Sequence, residues 1–174
     1  MVTNPQGSSN KSDDWMQEGS QQFLTFHLDD EEYGVDILKV NEIREWAPIT
    51  TIPDIPSFIK GVINLRGNIV PIIDLRERFS IEAKEYGPTT VVILINVNHQ
   101  DTELVIGVVV DSVSDTHSVN QQDIRPKPAI GGIIDAQYLS GLVEIEQKLV
   151  LLLNVDKLLT DNQLTQLGTV SEEE

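Results

Sequence analysis

Short apolar runs broken by polar turns set the rhythm of this chain. Phe23, Leu24, Phe26 and Leu28 lead into the acidic Asp29-Asp30-Glu31-Glu32, and Tyr33 to Ile37 then resumes a strand-like pattern. Two such runs around a short polar turn predict a β-hairpin. The stretch 36–44 fits two descriptions. Ile37, Val40 and Ile43 would line one face of a helix, but the preceding Gly34-Val35 favours a strand. A proline-rich connector follows, APITTIPDIPSF, and then the stretch GVINLRGNIVPIIDLR. Its apolar runs Val62–Leu65 and Ile69–Leu75 flank Arg66-Gly67-Asn68, a second hairpin. Residues 80–90, SIEAKEYGPTT, are polar and read as a linker.

The second half repeats this layout. VVILINV (91–97) and ELVIGVVV (103–110) flank polar residues, the connector IRPKPAIGG follows, and LSGLVEIEQKLVLLLNV (139–155) holds two apolar runs around Glu146-Gln147-Lys148. Phe58 aligns with Tyr138, Gly61 with Gly141 and Leu75 with Val155, at a constant spacing of 80 residues. A weaker match sets Gly34 to Ile37 and Val40 against Gly107 to Val110 and Val113. The chain therefore reads as two copies of one unit: hairpin, proline-containing connector, hairpin. Each copy is about 60 residues, a size at which a lone domain buries little surface. VVILINV and KLVLLLNV do not alternate, so their strands need cover on both faces. The copies are expected to pack against each other through them. Short strands with regular turns point to small barrels rather than an α/β sheet.

Composition narrows the function. With 174 residues the chain is one domain or two small subdomains on a shared core. A formal net charge of -16 argues against nucleic acid and anionic membrane surfaces. There is no cysteine, which fits a reducing cytosol and leaves no disulfide, thiolate metal site or thiol nucleophile. No run reaches the length of a membrane-spanning helix, and the N-terminus has no apolar signal segment. Residues 1–21, rich in Ser, Asn, Gln, Asp and Gly, read as a flexible tail in which Trp15 and Met16 pack loosely on the surface. Asp156 to Leu167 reads as a short C-terminal helix, running into a tail over 161–174.

Catalytic patterns are missing. His27, His99 and His117 share no metal-ligand spacing, and no nucleophile-elbow, P-loop or dinucleotide fingerprint is present. The acidic run Asp29 to Glu32 fails as a calcium loop, because Tyr33 and Val40 stand where ligands are needed. It reads instead as a solvated turn that discourages edge pairing. Gly131-Gly132 is most simply a connector, and no spacing singles out an acid/base pair of carboxylates. An acidic hydrolase would need such a pair facing one pocket. A generic module for proline-rich peptides would need an aromatic groove, for which 5% aromatic residues supply little.

A binding module remains, and the duplication points to its surface. The second copy carries Glu146 where the first has Arg66, so the fold does not require that arginine. It carries Leu151 where the first has Pro71. A strand proline is tolerated mainly at an edge or bulge, which leads to the expectation of an open edge beside this hairpin.

The segments FLTFxLxxEEYGVDILKVxEIR (23–44), FIKGVINLRGxIVPIIDLR (58–76), GVVVDSVSD (107–115), YLxG (138–141) and NVDKLL (154–159) closely resemble the CheW family of bacterial chemotaxis coupling proteins. The likeness covers about residues 22–160. The resemblance implies a mostly β fold of two pseudo-repeated five-stranded SH3-like barrels, roughly 23–79 and 91–159, packed on a shared apolar core. Short helices would lie in the connectors. It implies no catalysis and no cofactor, and a cytoplasmic adaptor recruited to membrane receptor arrays. The partners would be methyl-accepting chemoreceptors and the histidine kinase CheA, through its own CheW-like domain. A related binding module serving another receptor–kinase pathway is the alternative. In the family the NLRG arginine and the strand-end glutamate belong to partner contacts, which map to Arg66 and Glu42. A groove between the barrels, receiving a helical hairpin of the receptor, would involve Val40, Gly61, Asn64, Leu65, Val91, Val92 and Val113. First-barrel strands would face the kinase domain and second-barrel surfaces would help close rings. Thr116 is polar where the family often has an aliphatic residue.

Overall fold

The structure, a computed structural model, describes residues 19–127, 135–160 and 163. Trp15 and Met16, the Gly131-Gly132 connector and nearly all of the expected C-terminal helix beyond Thr160 lie outside these residues. The described chain is mostly strand: β1 (Ser20–Leu28), β2 (Glu31–Asp36), β3 (Val40–Glu45), β4 (Ile59–Leu65), β5 (Asn68–Asp74), β6 (Val91–His99), β7 (Thr102–Val110), β8 (Ser112–Asn120), β9 (Leu139–Ile145) and β10 (Lys148–Leu153). One short helix, α1 (Leu75–Arg78), and 3-10 turns at Ile37–Lys39, Gln121–Asp123, Ala136–Tyr138 and Val155–Lys157 lie in the connections. The ambiguous stretch 36–44 is therefore a 3-10 turn followed by a strand. The Asp36 carboxylate accepts the N–H of Leu38 at 2.9 Å and starts that turn.

The strands form two five-stranded sheets, in the orders β3-β6-β7-β5-β4 and β8-β1-β2-β10-β9. Moving every strand of the first order to its counterpart in the other copy reproduces the second. The duplication read from sequence thus governs the topology. It holds in register as well: Gly107 pairs with Ile72 in parallel, and Gly34 pairs with Leu152. Both connectors touch the outer edge of the strand that follows them, at Thr50–Val62 and Arg125–Leu142. The copies do more than pack side by side, however. The hairpin β1–β2 sits in the sheet of the second copy, and β6–β7 sits in the sheet of the first. We call the sheet with β3, β4 and β5 the first barrel and the sheet with β8, β9 and β10 the second.

The doubly apolar strands explain this exchange. Along β6, Val92 and Leu94 enter the first-barrel interior, with Leu65, Val70, Ile72 and Val109. The alternating residues Ile93, Ile95 and Val97 enter the core between the barrels. Along β10, Val150 and Leu152 fill the second barrel, while Leu153 faces the common core. Each such strand closes one core and floors another, so a large apolar area leaves water on both faces.

The pseudo-symmetry axis is marked by side chains. The Arg78 guanidinium lies over the Phe58 ring at 4.5 Å and the Tyr138 ring at 5.0 Å. Its Nε donates to the Leu158 carbonyl at 2.5 Å. Phe58 and Tyr138 are counterparts in the two copies, as are positions 78 and 158.

Pro71 does not mark an open edge. It is buried in β5, between β7 and β4. Its neighbour across the ladder is Val62, whose N–H and carbonyl turn to Thr50 at 2.8 and 3.2 Å. The Val62–Pro71 pair is therefore of the non-hydrogen-bonded kind, and parallel pairing with β7 begins one residue later, at Ile72. A missing N–H costs nothing at such a position. The outer strands of this sheet are β3 and β4.

Candidate functional site

The β4–β5 connection is a two-residue turn with Arg66 at φ +52° and Gly67 at φ +88°. Positive φ at both central positions matches the right-handed twist of the strands it joins. Asn64 stiffens it, its Oδ1 accepting the Gly67 N–H at 2.8 Å. The Arg66 side chain is 75% exposed, and its Nη2 lies 3.5 Å from Glu42 Oε2. The other carboxylate oxygen of Glu42 meets Arg44 Nε at 3.3 Å. Glu42 lies on β3 and Arg66 at the end of β4, strands from opposite edges of the sheet. Curling of that sheet brings the two together. Sequence reasoning named both residues, but not their contact.

The other expected residues fall into separate settings. Leu65 and Val92 are buried in the first-barrel interior beneath the turn. Gly61 is buried under the connector at φ +150°, where a Cβ would stand 2.1 Å from the Thr50 carbonyl oxygen. Val40, Val91 and Val113 are half-buried against the core between the barrels. Arg66, Glu42 and Asn64 thus form one surface group with Leu65 and Val92 beneath the turn, whereas Gly61 lies under the connector, Val40 and Val91 pack on the common core, and Val113 lies on β8 of the second barrel. Ile43, between Glu42 and Arg44 on β3, is an exposed apolar residue on the alternate face of the strand.

The second barrel has the same turn with different chemistry. Glu146 (φ +51°) and Gln147 (φ +68°) adopt its backbone, and Asp115 occupies the position of Glu42. One barrel therefore shows a cation held by a carboxylate, and the other two carboxylates.

A second polar cluster escaped sequence reasoning. Arg76 is buried in α1, just after β5, donating to both Asp111 oxygens at 2.8 and 2.6 Å and to the Glu82 carbonyl at 2.8 Å. Its Nη2 also reaches Asp29 at 3.4 Å. Burial on its own would raise the Asp111 carboxyl, but the hydrogen bonds from Arg76 and the Asp29 N–H hold it below its ordinary value. Beside it the Tyr86 hydroxyl donates to Asp74 Oδ2 at 2.6 Å, and burial together with that bond pushes its pKa up. In the common core, burial pushes the Tyr33 hydroxyl up to about 12. The sequence did carry a signal for Arg76. Its counterpart is Asp156, a reversal of charge as plain as that at Arg66.

Among the described residues no group of three His, Asp or Glu could hold a metal ion, and no helix is long and apolar enough to cross a membrane. What is built is a hydrogen-bonded turn presenting an exposed guanidinium. Two interlocked five-stranded sheets of one repeated topology, one of them with such a turn, define the architecture. The family model of the CheW-like domain matches residues 22–163, and the chain belongs to that family. It is 43% identical to the chemotaxis protein CheW of Klebsiella aerogenes, over 87% of this chain and 89% of that protein. It is 35% identical to Protein FrzA of Myxococcus xanthus, over 80% of this chain and 85% of that one. The crystal structure of the scaffolding protein TtCheW from Thermoanaerobacter tengcongensis superposes with a TM-score of 0.75 at 31% identity, covering 82% of this chain and 94% of that one.

Proposed function

We propose that this chain is a non-enzymatic adaptor that couples the cytoplasmic tips of methyl-accepting chemoreceptors to the histidine kinase CheA, binding the kinase through its CheW-like domain. Membership of a family with chemotaxis and scaffolding relatives supports this reading. The observation that carries it is Arg66: exposed on a stiff turn, steered by Glu42, and replaced by Glu146 in the copy that shares the fold. A guanidinium so placed recognises a carboxylate with two parallel hydrogen bonds. The turn is ordered before binding, so little further entropy is lost on association. Glu42 and Arg44 on β3, at the opposite edge of the curled sheet, then flank the contact.

Arg66→Glu sets a carboxylate against Glu42 and against the partner's carboxylate. It is expected to cost about 2 kcal/mol or more of complex stability, roughly a thirtyfold rise in Kd. Fold stability should change by no more than about 0.5 kcal/mol, as for other exposed positions. Co-sedimentation with receptor-containing membranes and CheA, with kinase autophosphorylation as the readout, checks this. Unchanged binding and unchanged kinase response would remove Arg66 from the partner surface.

A second reading has the same module serving another receptor–kinase pair, and draws on the similarity to Protein FrzA, which does not carry the chemotaxis name. Failure to raise CheA autophosphorylation beside receptor membranes would favour it.

A further inference from the structure

The two barrels close the same end differently. In the first, the linker before β6 folds back over the interior. The Tyr86 ring packs on Trp46 at 4.3 Å between centroids, in one cluster with Val92, Ile49 and Ile72, and its hydroxyl donates to Asp74. A recess of about 190 Å³ is left there, lined by Lys84 and Tyr86 of the linker and by Asp111. In the second barrel the corresponding place is a cavity of about 400 Å³. Phe23, Ile124 and Leu152 line it where the first barrel has Val92, Ile49 and Ile72, and Asn154 stands where Asp74 receives the Tyr86 hydroxyl. Gln121 matches Trp46, and no described residue takes the place of Tyr86. The rim differs too. Asp111 is matched by Leu38, which is 83% exposed on its 3-10 turn between the lining residues Asp36 and Lys39.

We propose that this cavity is a docking site for a tyrosine of a partner protein, carried on an extended segment with a lysine close before it. The first barrel shows the occupant: Lys84 and Tyr86 of the linker fill the matching place, with the phenol on an acceptor and the lysine beside a carboxylate. The second barrel keeps the parts that receive such a segment. The side-chain carbonyl of Asn154 accepts a phenol O–H. Phe23, Ile124 and Leu152 supply the apolar walls for the ring. At the rim the carboxylates of Asp36 and Asp156 outnumber the ammonium of Lys39, which favours a cationic neighbour. A lysine stem can cover Leu38 while its ammonium meets those carboxylates. The site lies at the end of β10 away from the Glu146-Gln147 turn and does not rest on the role assigned to Arg66.

The linker itself supplies the probe, a synthetic peptide of residues 82–90, EAKEYGPTT, with both ends blocked. Titrated into the isotope-labelled full chain, it should shift the amide resonances of Gln21, Ser140 and Asn154 and leave those of Trp46 and Thr90 in place. Exchanging the peptide tyrosine for phenylalanine should raise Kd about fivefold, the loss of one neutral hydrogen bond, and alanine there should abolish the shifts. In the protein, Asn154→Asp should tighten binding, because a carboxylate accepts the phenol more strongly than an amide does. Ser140→Trp, at an exposed lining position, should block the cavity without unfolding the chain, as its amide spectrum will show. No shifts at millimolar peptide, shifts confined to the first barrel, or equal binding by the tyrosine and alanine peptides each overturns the proposal.

Discussion

Arg66 and Gly61 lie five positions apart and owe their places to different physics. Arg66 is free to be any residue that tolerates positive φ, as Glu146 in the other copy shows. Gly61 is not free, because its absent side chain leaves room for the Thr50 carbonyl, and Gly141 does the same for Arg125. Gly61→Ala is therefore expected to cost about 2–4 kcal/mol of fold stability, from backbone strain and overlap together. Gly141→Ala, with the nearest atom at 2.9 Å and no positive φ, should cost less. Urea unfolding checks both. If Gly61→Ala weakens partner binding while leaving the unfolding midpoint unchanged, Gly61 touches the partner itself. Both residues stood out in the sequence, one as a match between the copies and one as a mismatch. Nothing in it separated a contact residue from a glycine beneath a connector, since burial depends on chain that arrives from elsewhere.

Hairpins are the element that the sequence shows best. Their apolar runs and turns are local, and local geometry decides them. The turn at Glu146-Gln147 carries a cost that the Arg66-Gly67 turn avoids at its second position, because Gln147 holds φ +68° with a Cβ. Gln147→Gly should stabilise the protein by about 0.5–1 kcal/mol, read as a rise in Tm. An unchanged or lower Tm would mean that the Gln147 side chain makes compensating contacts. The stretch 36–44 shows the limit of local reading. A 3-10 turn with an Asp36 cap, running straight into a strand, has neither a helical nor an alternating period. Pro71 was misleading for a related reason. The rule that prolines favour edges is statistical, and here the turn of Val62 toward Thr50 frees its partner from donating.

At the scale of the whole molecule, the exchange of hairpins dominates. Each sheet takes strands from both halves of the chain, so neither half carries a complete sheet. Residues 19–80 and 88–160 made separately should each be unfolded by circular dichroism and should fold together when mixed. A cooperatively folded isolated half would contradict the interlocked core. Arg76 ties the barrels, since it lies in α1 directly after the first-barrel strand β5 and holds both Asp29, in the β1–β2 turn of the second barrel, and Asp111, at the β7–β8 crossover. On the other side Asp156, after β10, accepts the Asn98 N–H of β6 at 2.9 Å. Arg76→Met should cost about 2 kcal/mol or more at neutral pH, because it leaves Asp111 partly buried and unpaired. The Asp111 carboxyl is depressed on folding, so its contribution is present above the unfolded carboxylate value of about 3.9 and fades as pH falls below it. The gap between wild type and Arg76→Met should accordingly narrow in urea titrations on going below about pH 4. A gap independent of pH would mean that the loss is one of packing alone.

The order of elements, the duplication, the need of VVILINV and KLVLLLNV for cover on both faces and the exceptional character of Arg66 were all present in the sequence. Each rests on composition and spacing along the chain, which folding does not alter. Tertiary structure alone decided that the copies exchange their first hairpins, that Arg66 meets Glu42 across the curled sheet, and that Arg76 joins the barrels through Asp29 and Asp111. Those contacts span residues 24 to 47 positions apart, and no periodicity in the sequence encodes which distant strand a surface will meet. They follow from the burial of doubly apolar strands, which is non-directional in itself and becomes specific only when two sheets must share one core.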